Sequence, residues 1–227
     1  MSWQQALVDN YHADQRAIAR RVVSELAPLW NLLDPHDLKG TTAQWLKAVR
    51  PVIERGILLS QYVAGEFYQR YRTAHYPEAE PLGIDFPDPL GVFTDKVIPD
   101  RDTRLRIMVA QKVTGPVWVA KHSLPDMTPD DINELMYKGF SKSTGSAIRM
   151  VMNSARHTMA LLVESDPLAK GYARIAGQTA CGDCKAKEGV YLKTDSDRKF
   201  DWGSVGHDFC RCVIVPIFGE ISTESDN

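Results

Sequence analysis

Five side chains of metal-ligand type crowd one stretch near the end of the 227-residue chain: Cys181, Cys184, His207, Cys210 and Cys212. Cys181-Gly-Asp-Cys184 is a CxxC, a spacing at which two thiolates can grip one metal if the turn is tight, and Gly182 permits such a turn. His207-Asp-Phe-Cys210-Arg-Cys212 follows and offers three more ligands. Tetrahedral zinc takes four, so one of the five is spare or has another role. The preferred set is Cys181, Cys184, His207 and Cys210, with Cys212 buried at the start of a strand. In the competing set Cys212 replaces His207 or Cys210, because an extended Cys210–Cys212 segment puts both side chains on one face.

The chemistry expected of this cluster is a structural zinc staple for a small β-rich module. An open catalytic zinc fits less well, since several thiolates make the ion less electrophilic and hydrolytic sites favour His and carboxylate. A redox CxxC leaves HxxCxC without a purpose. A Cys–His nucleophile, oriented by Asp208, Asp201 or Glu188, is permitted but not selected by spacing. His12, His36, His75, His122 and His157 are scattered and read as surface or packed residues.

Composition sets the background. Hydrophobic residues make up 44% of the chain and charged residues 25%, which suits a folded protein with a sizeable core. A net charge of −2 provides no global basic footprint for nucleic acid. Arg16, Arg20 and Arg21 cluster, as do Arg101, Arg104 and Arg106. They read as solvated faces paired with Asp14, Glu25 and Asp102, with DNA contact only weakly indicated. No apolar run is long enough to span a bilayer, and the N-terminal residues lack the pattern of a secretory signal. A reducing compartment is therefore expected, where clustered cysteines favour metal over disulfides.

The elements that must position this cluster are mainly helical. Ile18, Val22, Leu26, Leu29 and Leu33 form one stripe, with a kink expected at Pro28 and a stop at Asp34-Pro35. Thr41 or Thr42 is expected to cap a second helix carrying Trp45, Val49, Val52, Leu59, Val63 and Phe67, with a kink or break near Pro51. Five prolines make residues 76–99 an extended connector. Asp100 can cap a helix bearing Leu105, Met108 and Val109, which Thr114-Gly115-Pro116 should break. Thr128-Pro129 starts a helix whose stripe is Ile148, Val151, Met152, Ala155, Met159 and Leu162, and Asp166-Pro167 stops it. Residues 172–176 and 212–218 read as strands. The expected organisation is a helical region over 1–75, the connector over 76–99, a helical region over 100–168, a Cys/His metal-binding α+β module over 169–219, and a tail over 220–227. The fold class is mainly α: kinked long helices plus a small C-terminal α+β module stapled by a metal site.

Met159-Ala-Leu-Leu-Val-Glu-Ser-Asp-Pro167 leads into Gly171-Tyr-Ala-Arg-Ile175, then ACGDC, a Gly-Val-Tyr step at 189–191, and HDFCRC running into Val-Ile-Val-Pro-Ile-Phe218. This arrangement resembles the C-terminal module of the Mu F-like phage head morphogenesis proteins, closest to the actinobacteriophage minor capsid branch. Leu29-Trp-Asn-Leu-Leu-Asp-Pro35, ahead of a Trp-bearing helix, is similar to that branch too. The resemblance implies a minor capsid protein of the virion head or procapsid, made in the host cytoplasm. Its implied partners are the portal protein, scaffold protein or major capsid protein. Many relatives carry the label capsid maturation protease, which would imply cleavage of scaffold or capsid chains. The metal motif carries over onto Cys181, Cys184, His207, Cys210 and Cys212. No nucleophile carries over, since the chain has neither GxSxG nor HExxH.

Overall fold

The structure, a computed structural model, describes residues 2–83, 101–177, 180–194 and 207–219. Ser2 accepts the amide of Gln5 and opens α1 (Trp3–Leu29), which buries Val8, Tyr11, Ile18, Val22 and Leu26 along one side. Pro28 lies in the last turn, and the helix closes there in a 3-10 turn at Trp30–Leu32. The helical hydrogen bonds run on past Pro28, and Leu33 is the first extended residue, so the helical run stops just ahead of Asp34-Pro35, as expected.

Asp37, rather than Thr41 or Thr42, caps α2 (Leu38–His75): its carboxylate accepts the Gly40 amide at 2.9 Å. Thr41 sits inside the first turn, where its hydroxyl donates to the Asp37 carbonyl at 2.7 Å. Helix α2 continues through Pro51 as one element. An interior proline costs about 3 kcal/mol, and burial against α1 and the later helix at Pro129–Ser165 outweighs it. A Cβ on Gly56 would meet Val22 at 2.6 Å and Val151 at 3.0 Å, so glycine lets three helices meet there.

Residues 76–83 leave α2 through a turn, while the rest of the expected connector and Asp100 lie outside the described residues. Helix α3 (Arg101–Thr114) ends at the expected break, and α4 (Pro116–His122) follows. The expected stripe on α3 points the wrong way. Leu105 is 59% and Val109 53% exposed, whereas Ile107 and Gln111 are buried. The reason is polar: Ser143 Oγ donates to Gln111 Oε1 at 2.6 Å, and Gln111 Nε2 donates to the Ser143 carbonyl at 3.3 Å. The same reciprocal Gln–Ser device joins Gln15 to Ser60 between α1 and α2.

Helix α5 (Pro129–Ser165) starts as expected, with Thr128 and Asp131 forming a reciprocal capping box. It buries Ile148, Val151, Met152, Ala155, Met159 and Leu162. Asp166 stops it and is itself fully buried. Tyr68 Oη and Arg72 Nε each donate to its carboxylate at 2.9 Å, tying the end of α5 to α2.

Three antiparallel strands follow in the order β2-β1-β3, with β1 at Ala169–Ile175, β2 at Gly189–Leu192 and β3 at Val213–Phe218. Strand β2 is the addition to the sequence reading. It pairs Tyr191 with Tyr172, and their rings stack at 5.2 Å. Pro216 is tolerated because β3 is an edge strand. Val213, Ile214 and Val215 are buried in the same apolar cluster as Tyr68, Met152 and Met159. The sheet therefore shares a core with the helices. A second cluster, around Trp30, Trp45, Ile53, Ile107 and Val151, fills the other end of the helical body. Among the described residues, no helix is long and apolar enough to cross a membrane.

Candidate metal centre

Cys181 immediately precedes the short helix α6 (Gly182–Ala186), and Cys184 lies within it. One turn of helix therefore puts both sulfurs on one side. His207 to Cys210 is a second turn, closed by the Cys210 amide donating to the His207 carbonyl at 3.1 Å. Phe209 takes φ 62° at this corner, a left-handed conformation that costs a non-glycine residue about 1 kcal/mol. Cys212 enters β3 directly. The two turns thus meet at the end of the sheet.

All five expected side chains come together there. Cys181, Cys184 and His207 form one group with ligand atoms within 4.8 Å of each other, and Cys184, Cys210 and Cys212 form another. Cys184 belongs to both. His207 Nε2 lies 2.9 Å from Cys181 Sγ and 3.1 Å from Cys184 Sγ, and Cys184 Sγ lies 3.5 Å from Cys210 Sγ. Cys184, Cys210 and Cys212 are buried, while Cys181 is exposed. His207 Nδ1 donates to the Asp208 carbonyl at 2.6 Å. That bond fixes the proton on Nδ1 and leaves the Nε2 lone pair facing the sulfurs, as a metal-binding imidazole requires.

The thiols divide electrically. Cys210 is pulled down to about 4, chiefly by the hydrogen bond from Cys212 and then by the Arg156 charge, against the cost of burial. Cys212 is pushed well up, because it donates to Cys210 and is buried. Burial pushes Cys184 up to about 11. The backbone N–H of Cys184 lowers Cys181. Hydrogen bonding to the Asp208 carbonyl raises His207.

Helix α5 supplies a support that sequence reasoning missed. Arg156 interrupts the apolar stripe and is 1% exposed. Its Nη2 donates to the Cys212 carbonyl at 2.7 Å and lies 3.2 Å from Cys210 Sγ, and its Nε donates to the Cys212 carbonyl at 3.0 Å. A second buried guanidinium, Arg174 of β1, reaches within 3.9 Å of Cys210 Sγ. Higher on α5, Arg149 pairs with Asp208 at 3.3 Å, and a Cβ on Gly145 would meet Asp208 and Phe209 at 2.8 Å. From α1, His12 Nε2 donates to the Arg211 carbonyl at 2.8 Å. The legible signal was Arg156 itself, a lone cation within an otherwise apolar stripe.

This donor set can hold a metal ion: soft sulfurs, an imidazole of the right tautomer, and cations placed to balance thiolate charge. A pocket of about 360 Å³ opens beside it, lined by His12, Arg16, Cys181, His207, Phe209 and Arg211, among others. Of the basic side chains read as solvated, Arg21 pairs with Glu25 and Arg104 with Glu54.

No curated protein and no solved structure matches the chain. Residues 109–226 match the family described as VG15 protein, a span that contains α5, the sheet and all five candidate ligands. With just over half its length inside that match, the chain belongs to the phage-associated VG15 protein family.

Proposed function

We propose that the chain is a phage head morphogenesis protein, a minor capsid protein acting with portal, scaffold or major capsid subunits in procapsid assembly. Its Cys/His centre holds a structural zinc. The observation that carries this reading is that the phage-family match contains the whole centre together with the helix that braces it. Three of the four cysteines are buried, and Arg156 of α5 holds two of them, Cys210 and Cys212, which suits a closed site that sets shape. The ligands are Cys181, Cys184, His207 and Cys210, with Cys212 as a thiol donating to the Cys210 sulfur. Three thiolates around a divalent ion leave one negative charge, and Arg156 balances it.

Elemental analysis by mass spectrometry and infection assays test this together. Purified protein should carry one zinc, Cys212→Ser should keep it, and Cys184→Ser should lose it. Phage carrying Cys184→Ser should accumulate fewer closed heads. Normal head yield from a metal-free variant would defeat the assembly reading of the centre.

One observation favours a second reading, a capsid maturation protease. Exposed Cys181 lies against His207 at the mouth of the 360 Å³ pocket, where a chain could reach it. Under that reading, purified protein cuts scaffold or capsid chains and Cys181→Ser abolishes cutting. Intact chains after long incubation with procapsids support the structural role.

A further inference from the structure

Helix α3 is mounted with its more apolar side outward. Its inner side is held by Ile107, by Gln111 on Ser143 and by Arg104 on Glu54 at 3.5 Å. The outer side carries Leu105, Val109 and Val113, each more than half exposed. Residues four apart drift only about 40° around a helix, so the three form one straight ridge. The same geometry puts Arg106 on one edge of the ridge and Lys112 on the other, both exposed. Asp102, the lone acid of α3, is exposed at the N-terminal end of the ridge, in the first turn, where the helix dipole favours it.

Helix α4 prolongs this surface. Val117 is 43% exposed and borders a groove of about 350 Å³ between α4 and the start of α2. Leu38, Leu46 and Pro116 line the groove, with Lys39 and Lys112 among its walls. The ridge and the groove share Lys112 as a border. The inward polar pairs hold the helix without any help from the ridge.

We infer that this α3–α4 face docks an amphipathic helix of a partner protein, one with an apolar stripe flanked by acidic residues. The apolar stripe covers Leu105, Val109, Val113 and Val117, and acids on its edges meet Arg106, Lys112 and Lys39. Charge selects this occupant over a second copy of the chain. Pairing two such faces sets basic edges against basic edges, and like charges across an interface repel. The inference depends neither on the metal nor on the head-assembly role.

The test uses the full chain and two synthetic helical peptides, identical in a leucine face, one edged with glutamate and the other with lysine. Fluorescence anisotropy should show saturable binding of the glutamate peptide, weakening as salt rises. Val109→Glu should reduce that affinity about tenfold or more with an unchanged circular dichroism spectrum, because the position is exposed. Arg106→Glu with Lys112→Glu should reverse the preference to the lysine peptide. Absence of binding, equal binding of both peptides, or indifference to Val109→Glu would overturn the inference. Concentration-dependent self-association abolished by Val109→Glu would overturn it as well, by showing that a second copy covers the face.

Discussion

Two buried arginines brace α5, and they are satisfied in opposite ways. Arg72, 5% exposed, meets a carboxylate: Asp166 takes its Nε at 2.9 Å and also accepts Tyr68. That end of the molecule carries its own counter-charge. Arg156 is buried more deeply, and among the described residues no carboxylate lies within ion-pair distance of it. Its partners are two backbone carbonyls, Asn153 and the Cys210 sulfur. A buried guanidinium without an anion is costly, so the cysteines must supply the negative charge. The contrast teaches that the Cys/His centre is part of the electrostatics of the helical body and not an appendage to it.

The strongest way to break the comparison is to remove the centre. Structural zinc in small modules contributes about 10 kcal/mol or more of apparent folding energy, so Cys184→Ser should lose metal and melt the region around β3. Because β3 shares a core with α2 and α5, the global melting temperature should fall too, measured by calorimetry. Zinc binding and melting temperature both unchanged in that variant would show that the centre is not a staple.

Next come the two arginines themselves. Removing one partner of a buried pair costs about 3–5 kcal/mol. Arg72→Met should cost this much with or without a chelator, since Asp166 is left bare either way. Arg156→Met should cost at least as much after chelation as with metal bound, because the Cys210 thiol, held down to about 4 without metal, stays a buried thiolate that no ion then neutralises. A clearly smaller cost after chelation would mean that the charge Arg156 balances is not the Cys210 thiolate. Denaturant titrations of the two variants, with and without chelator, separate these outcomes.

A smaller effect is expected at Gly145, where α5 approaches Asp208 and Phe209 too closely for a Cβ. Gly145→Ala should improve helix propensity yet displace the His207–Cys210 turn, with a net cost of about 1–3 kcal/mol. Zinc affinity, measured by competition with a chromophoric chelator, should fall, whereas simple helix stabilisation would leave it unchanged.

The smallest effect belongs to the Arg72 end. His75 sits in an aromatic box of Trp3, Tyr71, Tyr76 and Phe218, and burial lowers its pKa. Between its folded and unfolded values the unfolded chain binds more protons, so stability falls as pH drops through the ordinary histidine range near about 6.5 and levels off below the folded value. Comparing wild type with His75→Gln between about pH 7.5 and 5.5 should show a shallower slope in the variant. Identical slopes would remove His75 as the cause.

The chain's local chemistry settled much by itself. Thr128-Pro129 and Asp166-Pro167 bounded α5 because caps and prolines act within one turn. The Cys/His spacing marked five side chains that the fold brings together, since ligand type and a tight turn are local properties. The β-branched run after Cys212 marked β3 for the same reason. Tertiary structure decided what depends on distant partners. It selected Asp37 over Thr41 and Thr42 as the cap of α2, carried that helix through Pro51, and placed Gly189–Leu192 as a strand only because β1 lies beside it. It also turned Leu105 and Val109 outward, because a buried Gln–Ser pair holds the opposite side of α3. Hydrophobic periodicity reports which residues share a face, but not whether that face meets this chain or another. Arg156 follows the same logic: its charge was visible in the sequence, whereas its counter-charge lies more than fifty residues away and reaches it only in the fold.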